Sequence, residues 1–371
     1  MKIDFVVPCL MGLEALIVDE LREIGAEDIR AENARVLFSG DLNILVRANI
    51  CLRHAERVQI LIGSFKATSF EELFQGTKAL PFDDWIGKED AFPVKGYSLN
   101  SKLFSVSDCQ SIIKKAVVER LKEKYKLPWF EETGAKYQIQ FSIIKDVVTI
   151  VIDTSGYGLH KRGYRLSAKE APIKETLAAS LCTLARVRNF HTLYDPMCGS
   201  GTILIEGAMK AFNIAPGLQR TFAAEEFSNI SKEIWKQERT RAHDLIDRNC
   251  EFSAYGSDID EESLLIAQEN AKRAGVENCI KFEKIDIKDW ERKSERGTVI
   301  CNPPYGERLL DIDTANDLYK IMGEKFVREH GWGYYIISPS EDFEKIFGRR
   351  ADKRRKLYNG MIKCQVYMYF K

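Results

Sequence analysis

Between Thr192 and Ile337 the chain repeats one unit: a short apolar run, a polar residue, then a stretch with helical spacing. Thr192–Tyr194 runs into Asp195, Ser253–Ser257 into Asp258, Cys279–Ile285 into Asp286, and Thr298–Cys301 into Asn302. Helical periodicity covers Ile203–Phe212, Glu261–Ala274 and Ala315–Glu329, and one more apolar run, Gly333–Ile337, follows. Strands that alternate with helices pair in parallel, because the crossover carries the chain back to the edge it started from. The second half is therefore expected to be α/β, a mostly parallel sheet with helices on both faces. At the C-terminus, Lys356–Tyr358 and Met361–Phe370 flank Asn359-Gly360, the strongest short hairpin signal. Ile362, Cys364, Val366 and Met368 share one face, so an antiparallel hairpin is expected to close the sheet.

The first half has a different rhythm. Lys2–Pro8 alternates like a strand, Leu13–Ile24 has helical spacing, and Arg35–Ser39 returns as a strand. Asp41 stands where it can cap a helix beginning at Leu42, and His54–Phe65 alternates again, giving a small α+β unit. Beyond Thr68 come a helical turn at Phe70–Leu73, a strand at Phe92–Asn100, and a helix at Cys109–Lys124 capped by Ser107-Asp108. A hairpin at Tyr137–Ile144 and Val147–Ile152 completes this half. The expected division is residues 1–64, 65–155, a linker at 156–170, and 171–371. Within the last unit, Ile173–Val187 is helical, and an insert at Ala215–Cys250 carries a charged helix over Ile230–Ile246.

Charge limits the function classes. Lys+Arg and Asp+Glu are both 55 among 371 residues, so any nucleic-acid footprint must be local rather than a bulk basic surface. Two local clusters stand out. Lys161, Arg162 and Arg165 lie in a Gly-rich connector with Tyr157 and Tyr164, and Arg349, Arg350, Lys353, Arg354, Arg355 and Lys356 precede the terminal hairpin. Both can grip a phosphate backbone, and both can equally be a solvated hinge or face. The nine cysteines contain no Cys-x-x-Cys pair and the five histidines are isolated, so neither a metal site nor a disulfide framework is expected. Such thiols fit a reducing cytoplasm. Neither a signal peptide nor an apolar run of about 18 residues is found, so no membrane association is expected.

In open α/β sheets ligands bind beyond the carboxyl ends of the strands, and here those ends carry Asp195, Asp258, Asp286 and Asn302. Gly199 and Gly201, around Ser200 and before Thr202, let the backbone turn tightly against a ligand. The third glycine of a dinucleotide fingerprint is missing, and the leading acid would repel a pyrophosphate. A ligand with an amino group, a ribose and an adenine fits better: Asp195 beside the amino acid moiety, Asp258 on the ribose hydroxyls, Asp286 on the adenine amine. That ligand is S-adenosyl-L-methionine. Cys198 is a turn residue here, although its place near a helix N-terminus could lower its pKa. Asn302-Pro303-Pro304-Tyr305 ends a buried strand rigidly, since proline fixes φ and donates no hydrogen bond. On its own this tetrapeptide is equally well a strand-ending turn.

Asp195-Pro-Met-Cys-Gly-Ser-Gly-Thr202 and Asn302-Pro-Pro-Tyr305-Gly-Glu-Arg308 resemble the THUMP-containing class I RNA methyltransferases. Gly158-Leu-His-Lys-Arg-Gly-Tyr-Arg165 and Ala171-Pro-Ile-Lys-Glu-Thr-Leu177 are similar to that family too. The resemblance covers essentially the whole chain and is nearest to the bacterial 23S rRNA guanine-N2 enzymes, in the form without a second fused methyltransferase. It implies a Rossmann-like methyltransferase domain with a seven-stranded sheet, preceded by ferredoxin-like and THUMP domains. It also implies methyl transfer to an exocyclic amine, with Asn302, Pro303, Pro304 and Tyr305 catalytic. Pro196, Ile259 and Ile287 join the acids and the Gly-Ser-Gly turn as expected cofactor contacts. The expected partner is RNA, as 23S rRNA or a large-subunit assembly intermediate. Because Asn-Pro-Pro-Tyr is shared across amino-group methyltransferases, a tRNA guanine-N2 enzyme and an adenine-N6 DNA methyltransferase remain alternatives.

Overall fold

The computed structural model describes residues 2–165, 172–305 and 312–370. Gly306, Glu307 and Arg308 of the expected catalytic motif lie outside the described residues, as do Ala171 and residues 166–170 of the linker.

The N-terminal half runs β1 (Ile3–Pro8), α1 (Glu14–Glu23), β2 (Glu27–Glu32), β3 (Arg35–Gly40), α2 (Leu42–Cys51) and β4 (Gln59–Lys66). It continues through α3 (Phe70–Lys78), β5 (Val94–Leu99), α4 (Val106–Tyr125), β6 (Gln138–Ile144) and β7 (Val147–Asp153). All seven strands join one sheet in the order β2-β3-β1-β4-β7-β6-β5. β4 pairs with β1 at Phe5↔Ile60 and with β7 along its whole length, so the expected boundary at residues 64 and 65 falls inside a strand common to both units.

Local expectations and structure differ at three points here. β2 is an additional strand: Glu27-Asp-Ile-Arg-Ala-Glu32 lies at the sheet edge, exposed at nearly every position, and so lacks the alternation that marks a half-buried strand. The helix expected at Cys109 begins at Val106, with Ser105 as N-cap, and Asp108 lies in its first turn, where an acid favours the helix dipole. The strand expected from His54 begins at Gln59, because the preceding backbone is engaged elsewhere: Val58 N–H donates to Ser155 Oγ and its carbonyl accepts from Thr154 N–H. Asp41 caps α2 as expected, accepting from Ile44 N–H at 2.9 Å.

The C-terminal half runs α5 (Glu175–Leu184), β8 (Thr192–Asp195), α6 (Thr202–Ala211), α7 (Lys232–Asp244), β9 (Ser253–Asp258) and α8 (Glu261–Arg273). It ends with β10 (Ile280–Lys284), β11 (Gly297–Cys301), α9 (Ile312–Lys325), β12 (Trp332–Ser338), α10 (Phe343–Phe347), β13 (Lys353–Asn359) and β14 (Ile362–Tyr369). The sheet order is β10-β9-β8-β11-β12-β14-β13. The first five strands are parallel and β14 is antiparallel to both its neighbours, so the sheet is the expected seven-stranded Rossmann-like one. Cys364, Val366 and Met368 lie in one apolar core with Ile362 packed against it, the face anticipated from their alternation.

α7, from the charged insert, is an anchor. Its Glu238 receives two hydrogen bonds from Arg47 on α2, at 2.7 and 2.8 Å, and Gly217 N–H donates to Ile50 O at 2.8 Å. The insert thereby fastens the C-terminal half to the N-terminal half.

Candidate active site

β8 and β11 are about a hundred residues apart in the chain yet neighbours in the sheet, with Thr298 opposite Leu193 and Val299 opposite Tyr194. To one side of this pair the strand order runs to β9 and β10, and to the other to β12, so β8 and β11 form the topological switch point where such sheets open a crevice. The four polar strand ends are therefore ordered in space Asp286, Asp258, Asp195, Asn302. Asp195 stands in the middle, between the two other acids and the asparagine.

The Gly-Ser-Gly turn is held by its own backbone, by Asp258 and by Asn270. Cys198 N–H donates to Ser257 O at 2.9 Å, and Gly201 N–H to Cys198 O at 2.8 Å. Gly199 N–H donates to Asp258 Oδ2 at 2.9 Å, and Asn270 on α8 donates to Ser200 O at 3.1 Å. Gly201 has φ +76° and sits where a Cβ would come within 3.0 Å of Ala267 Cβ, so both its conformation and its packing require glycine. Pro196 is buried at the start of this loop.

Asp195 is 2% exposed. Burial pushes its carboxyl pKa up to about 8; the charge of Asp258 adds to this, and the hydrogen bond from Met197 N–H opposes it. Asp258 is shared between Gly199 N–H and Asp260 N–H, and Asp286 accepts from Lys288 N–H at 3.0 Å, capping a 3-10 turn at Ile287–Asp289. Ile259 is 67% exposed beside Asp258, whereas the Ile287 side chain is packed in the core, so that residue can offer a ligand only its backbone. Burial pushes the Cys198 and Cys301 thiols well above their ordinary pKa, which removes both as nucleophiles and leaves the helix-terminus effect on Cys198 outweighed.

Asn302 directly follows β11, its side-chain Oδ1 buried and without a hydrogen-bond partner among the described residues. A buried acceptor left unmade costs about 1–3 kcal/mol, so its retention points to a donor that arrives with a ligand. Beyond Pro303 and Pro304, the Tyr305 hydroxyl accepts from Asn359 Nδ2 at 2.6 Å. Asn359 and Asn270 are site residues that sequence reasoning missed; only the Asn359-Gly360 pair had been singled out, and as a turn.

The basic residues expected to face RNA divide sharply. Arg162 is 2% exposed, 3.4 Å from Glu206, and donates to the carbonyls of Leu159 and Arg53; it ties three segments together from inside. Arg165 donates to Thr202 Oγ1 at 2.6 Å and to Ile173 O at 3.0 Å, with Glu175 at 3.5 Å, so it braces the start of α6. Arg349 stacks on Phe347 and Tyr369 and bonds Phe326 O. Arg355 bonds Gly12 O. These four serve packing between elements, a correction to the expectation of a free basic surface. Lys161 lies over the exposed Tyr157 ring, Arg350 and Lys353 are exposed, and Arg354 pairs at 3.4 Å with Glu344 at the surface.

The donor set fits S-adenosyl-L-methionine. Three acids in one row suit amino and hydroxyl groups, and a Cβ on Gly199 would meet nothing within 4 Å, so the turn opens onto free space. Among the described residues no group of three or more His, Cys, Asp or Glu could hold a metal, and no helix is long and apolar enough to cross a membrane.

Residues 162–368 match the RMKL-like methyltransferase-domain family, residues 4–59 the RlmL ferredoxin-like domain, and residues 67–153 the THUMP domain. The chain is 43% identical over 97% of its length to YpsC of Bacillus subtilis (strain 168), named as a candidate RNA methyltransferase, and covers 94% of that protein. It is 34% identical over 99% of its length to the ribosomal RNA large subunit methyltransferase K/L of Psychromonas ingrahamii, spanning only 50% of that longer protein. A crystal structure of SMU.472, named as a candidate methyltransferase and complexed with SAH, superimposes with a TM-score of 0.94 at 39% identity, over 100% of this chain and 98% of that one.

Proposed function

The chain belongs to the RMKL-like methyltransferase family, and on that premise we propose that it methylates the exocyclic N2 amine of a guanine in 23S rRNA. It is an S-adenosyl-L-methionine-dependent RNA methyltransferase; the base and the RNA are our reading. The observation that carries the reading is the buried Oδ1 of Asn302, an acceptor beside Asp195 with no donor among the described residues. Ribosomal RNA is favoured by the K/L relatives, and a THUMP domain precedes the catalytic sheet.

The cofactor supplies an electrophilic methyl group with a good leaving group already attached. Asp195 holds its amino group, the Gly199–Gly201 turn cradles the amino acid moiety, Asp258 takes the ribose hydroxyls, and Asp286 takes the adenine amine. On the substrate side, Asn302 Oδ1 and the Pro303 carbonyl accept the two N–H bonds of the amine. That draws its lone pair out of conjugation with the ring and aims it. Pro304 keeps the loop from relaxing, and Tyr305 stacks on the base, which must leave its helix to reach this depth. Positioning of this kind can lower the barrier by several kcal/mol, up to roughly 7–11 in the best-oriented systems. Of the two basic clusters, Lys161, Arg350, Lys353, Arg354 and Lys356 stay exposed and remain for the phosphate backbone.

Nucleosides of ribosomal RNA, transfer RNA and DNA from a deletion strain, mapped by mass spectrometry, test the assignment. Loss of one N2-methylguanosine from 23S rRNA is the expected result. Loss from transfer RNA, or of N6-methyladenine from DNA, would replace it with the corresponding alternative.

A further inference from the structure

β14 pairs with β12 only from Gln365↔Ser338 onward. β12 ends there, at the carboxyl rim, so the first residues of β14 and their partners on β13 project past the rim on the side where Asn302 sits. In this projecting part Leu357 faces Cys364, Tyr358 faces Lys363 and Asn359 faces Ile362. The two-residue loop is Gly360-Met361, with φ +63° at Gly360, rather than the expected Asn359-Gly360. That register matters. It leaves Asn359 as the last paired strand residue, its side chain free of turn duty and donating to the Tyr305 hydroxyl across 54 residues of chain. Leu357 and Cys364, both buried, anchor the projecting part in the core. Nothing in Asn302-Pro-Pro itself fixes the ring that follows, because prolines constrain the backbone and leave χ1 and χ2 of Tyr305 open.

We propose that Asn359 is a positioning residue for Tyr305, so that the projecting β13–β14 hairpin sets the plane of the base-stacking ring. The inference rests on the stacking role assigned to Tyr305 above. Tyr305 is half-buried, and one short hydrogen bond from Asn359 at the far end of its ring fixes that end at a set distance from the rim, which a stacking surface needs.

The test is a double-mutant cycle in the full chain, with total RNA from a deletion strain as methyl acceptor. Asn359→Ala and Tyr305→Phe should each lower kcat/KM about tenfold, as expected for one positioning hydrogen bond, with S-adenosyl-L-methionine affinity unchanged. The double variant should be no worse than the poorer single one. Asn359→Asp, which can accept from the phenol, should recover most of the activity, whereas the apolar Asn359→Leu should not. In parallel, NMR with labelled tyrosine, with Tyr305 assigned by Tyr305→Phe, should show its ring signals shifted or broadened in Asn359→Ala and restored in Asn359→Asp. Additive single effects, or a Tyr305 signal indifferent to residue 359, would overturn the proposal. A wild-type protein inert on that RNA would instead count against the functional reading, and the NMR comparison would still decide whether residue 359 holds the ring.

Discussion

Cofactor binding should be strongly pH-dependent through Asp195. Buried to 2% exposure, its carboxyl titrates near 8 in the free protein, so at pH 7 it is mostly protonated. An acid that must accept a hydrogen bond from an ammonium has to lose that proton first. Well below pH 8 each pH unit then weakens binding nearly tenfold, or about 1.4 kcal/mol; with the ligand's own α-amino titration included, the loss from pH 8 to pH 6 amounts to roughly twentyfold. The ligand's own α-amino group titrates at about 7.7–8.0, so affinity should peak near pH 8 and fall again above it. Calorimetry at pH 7 should find about 0.8 proton released per molecule bound, read from the difference in apparent enthalpy between Tris and phosphate. 5′-Methylthioadenosine, which lacks the amino acid, should bind with no such proton release, and Asp195→Asn should flatten the pH profile. The same shift acts on stability. The unfolded carboxyl titrates near 3.8 and the folded one near 8, so the folded state binds the proton more tightly; its stabilisation is full below pH 4 and is lost as pH rises to 8. The ligand-free protein should therefore lose thermal stability across that window while the stabilisation conferred by the ligand grows. Equal binding enthalpies in the two buffers, with a flat affinity from pH 6 to 8, would refute the placement of the amino group at Asp195.

Asn302→Ala should reduce methyl transfer at least a hundredfold with cofactor affinity within twofold of wild type; unchanged turnover would remove the loop from catalysis. Asp258→Ala should weaken cofactor binding by about 2–3 kcal/mol in calorimetry, since the carboxylate also holds Gly199 N–H; wild-type affinity would refute the ribose assignment. Arg162→Ala should destabilise the fold by about 3–5 kcal/mol in denaturant melts, because it strands the fully buried Glu206. If it instead lowered RNA affinity with an unchanged melting temperature, Arg162 would be an RNA contact after all.

The elements of the catalytic half were legible because each is written in a short stretch. Apolar runs end at Asp195, Asp258 and Asn302, glycines sit where φ must be positive, and prolines stop β11. Hairpin alternation by itself puts Ile362, Cys364, Val366 and Met368 on one face, the face that packs in the core. β2 was not legible, because a charged edge strand buries too little to leave a period. The basic clusters were legible as charge but misleading as surface: Arg162 and Arg165 are as cationic in the sequence as Lys161, and only their burial against Glu206 and Glu175 separates packing from exposure.

Taken alone, then, the sequence determined that a parallel sheet would present three acids and an asparagine at its carboxyl edge. φ restrictions and hydrophobic period act over a few residues and need no partner. The tertiary structure decided their spatial order, since β11 pairs with β8 rather than with β10, which precedes it in the chain. It also decided that Asp195 holds its proton to about pH 8, and that Asn359 meets Tyr305. Strand order, desolvation and contact across 54 residues are properties of the packed whole, set by which surfaces exclude water together, and no local stretch of the chain encodes them.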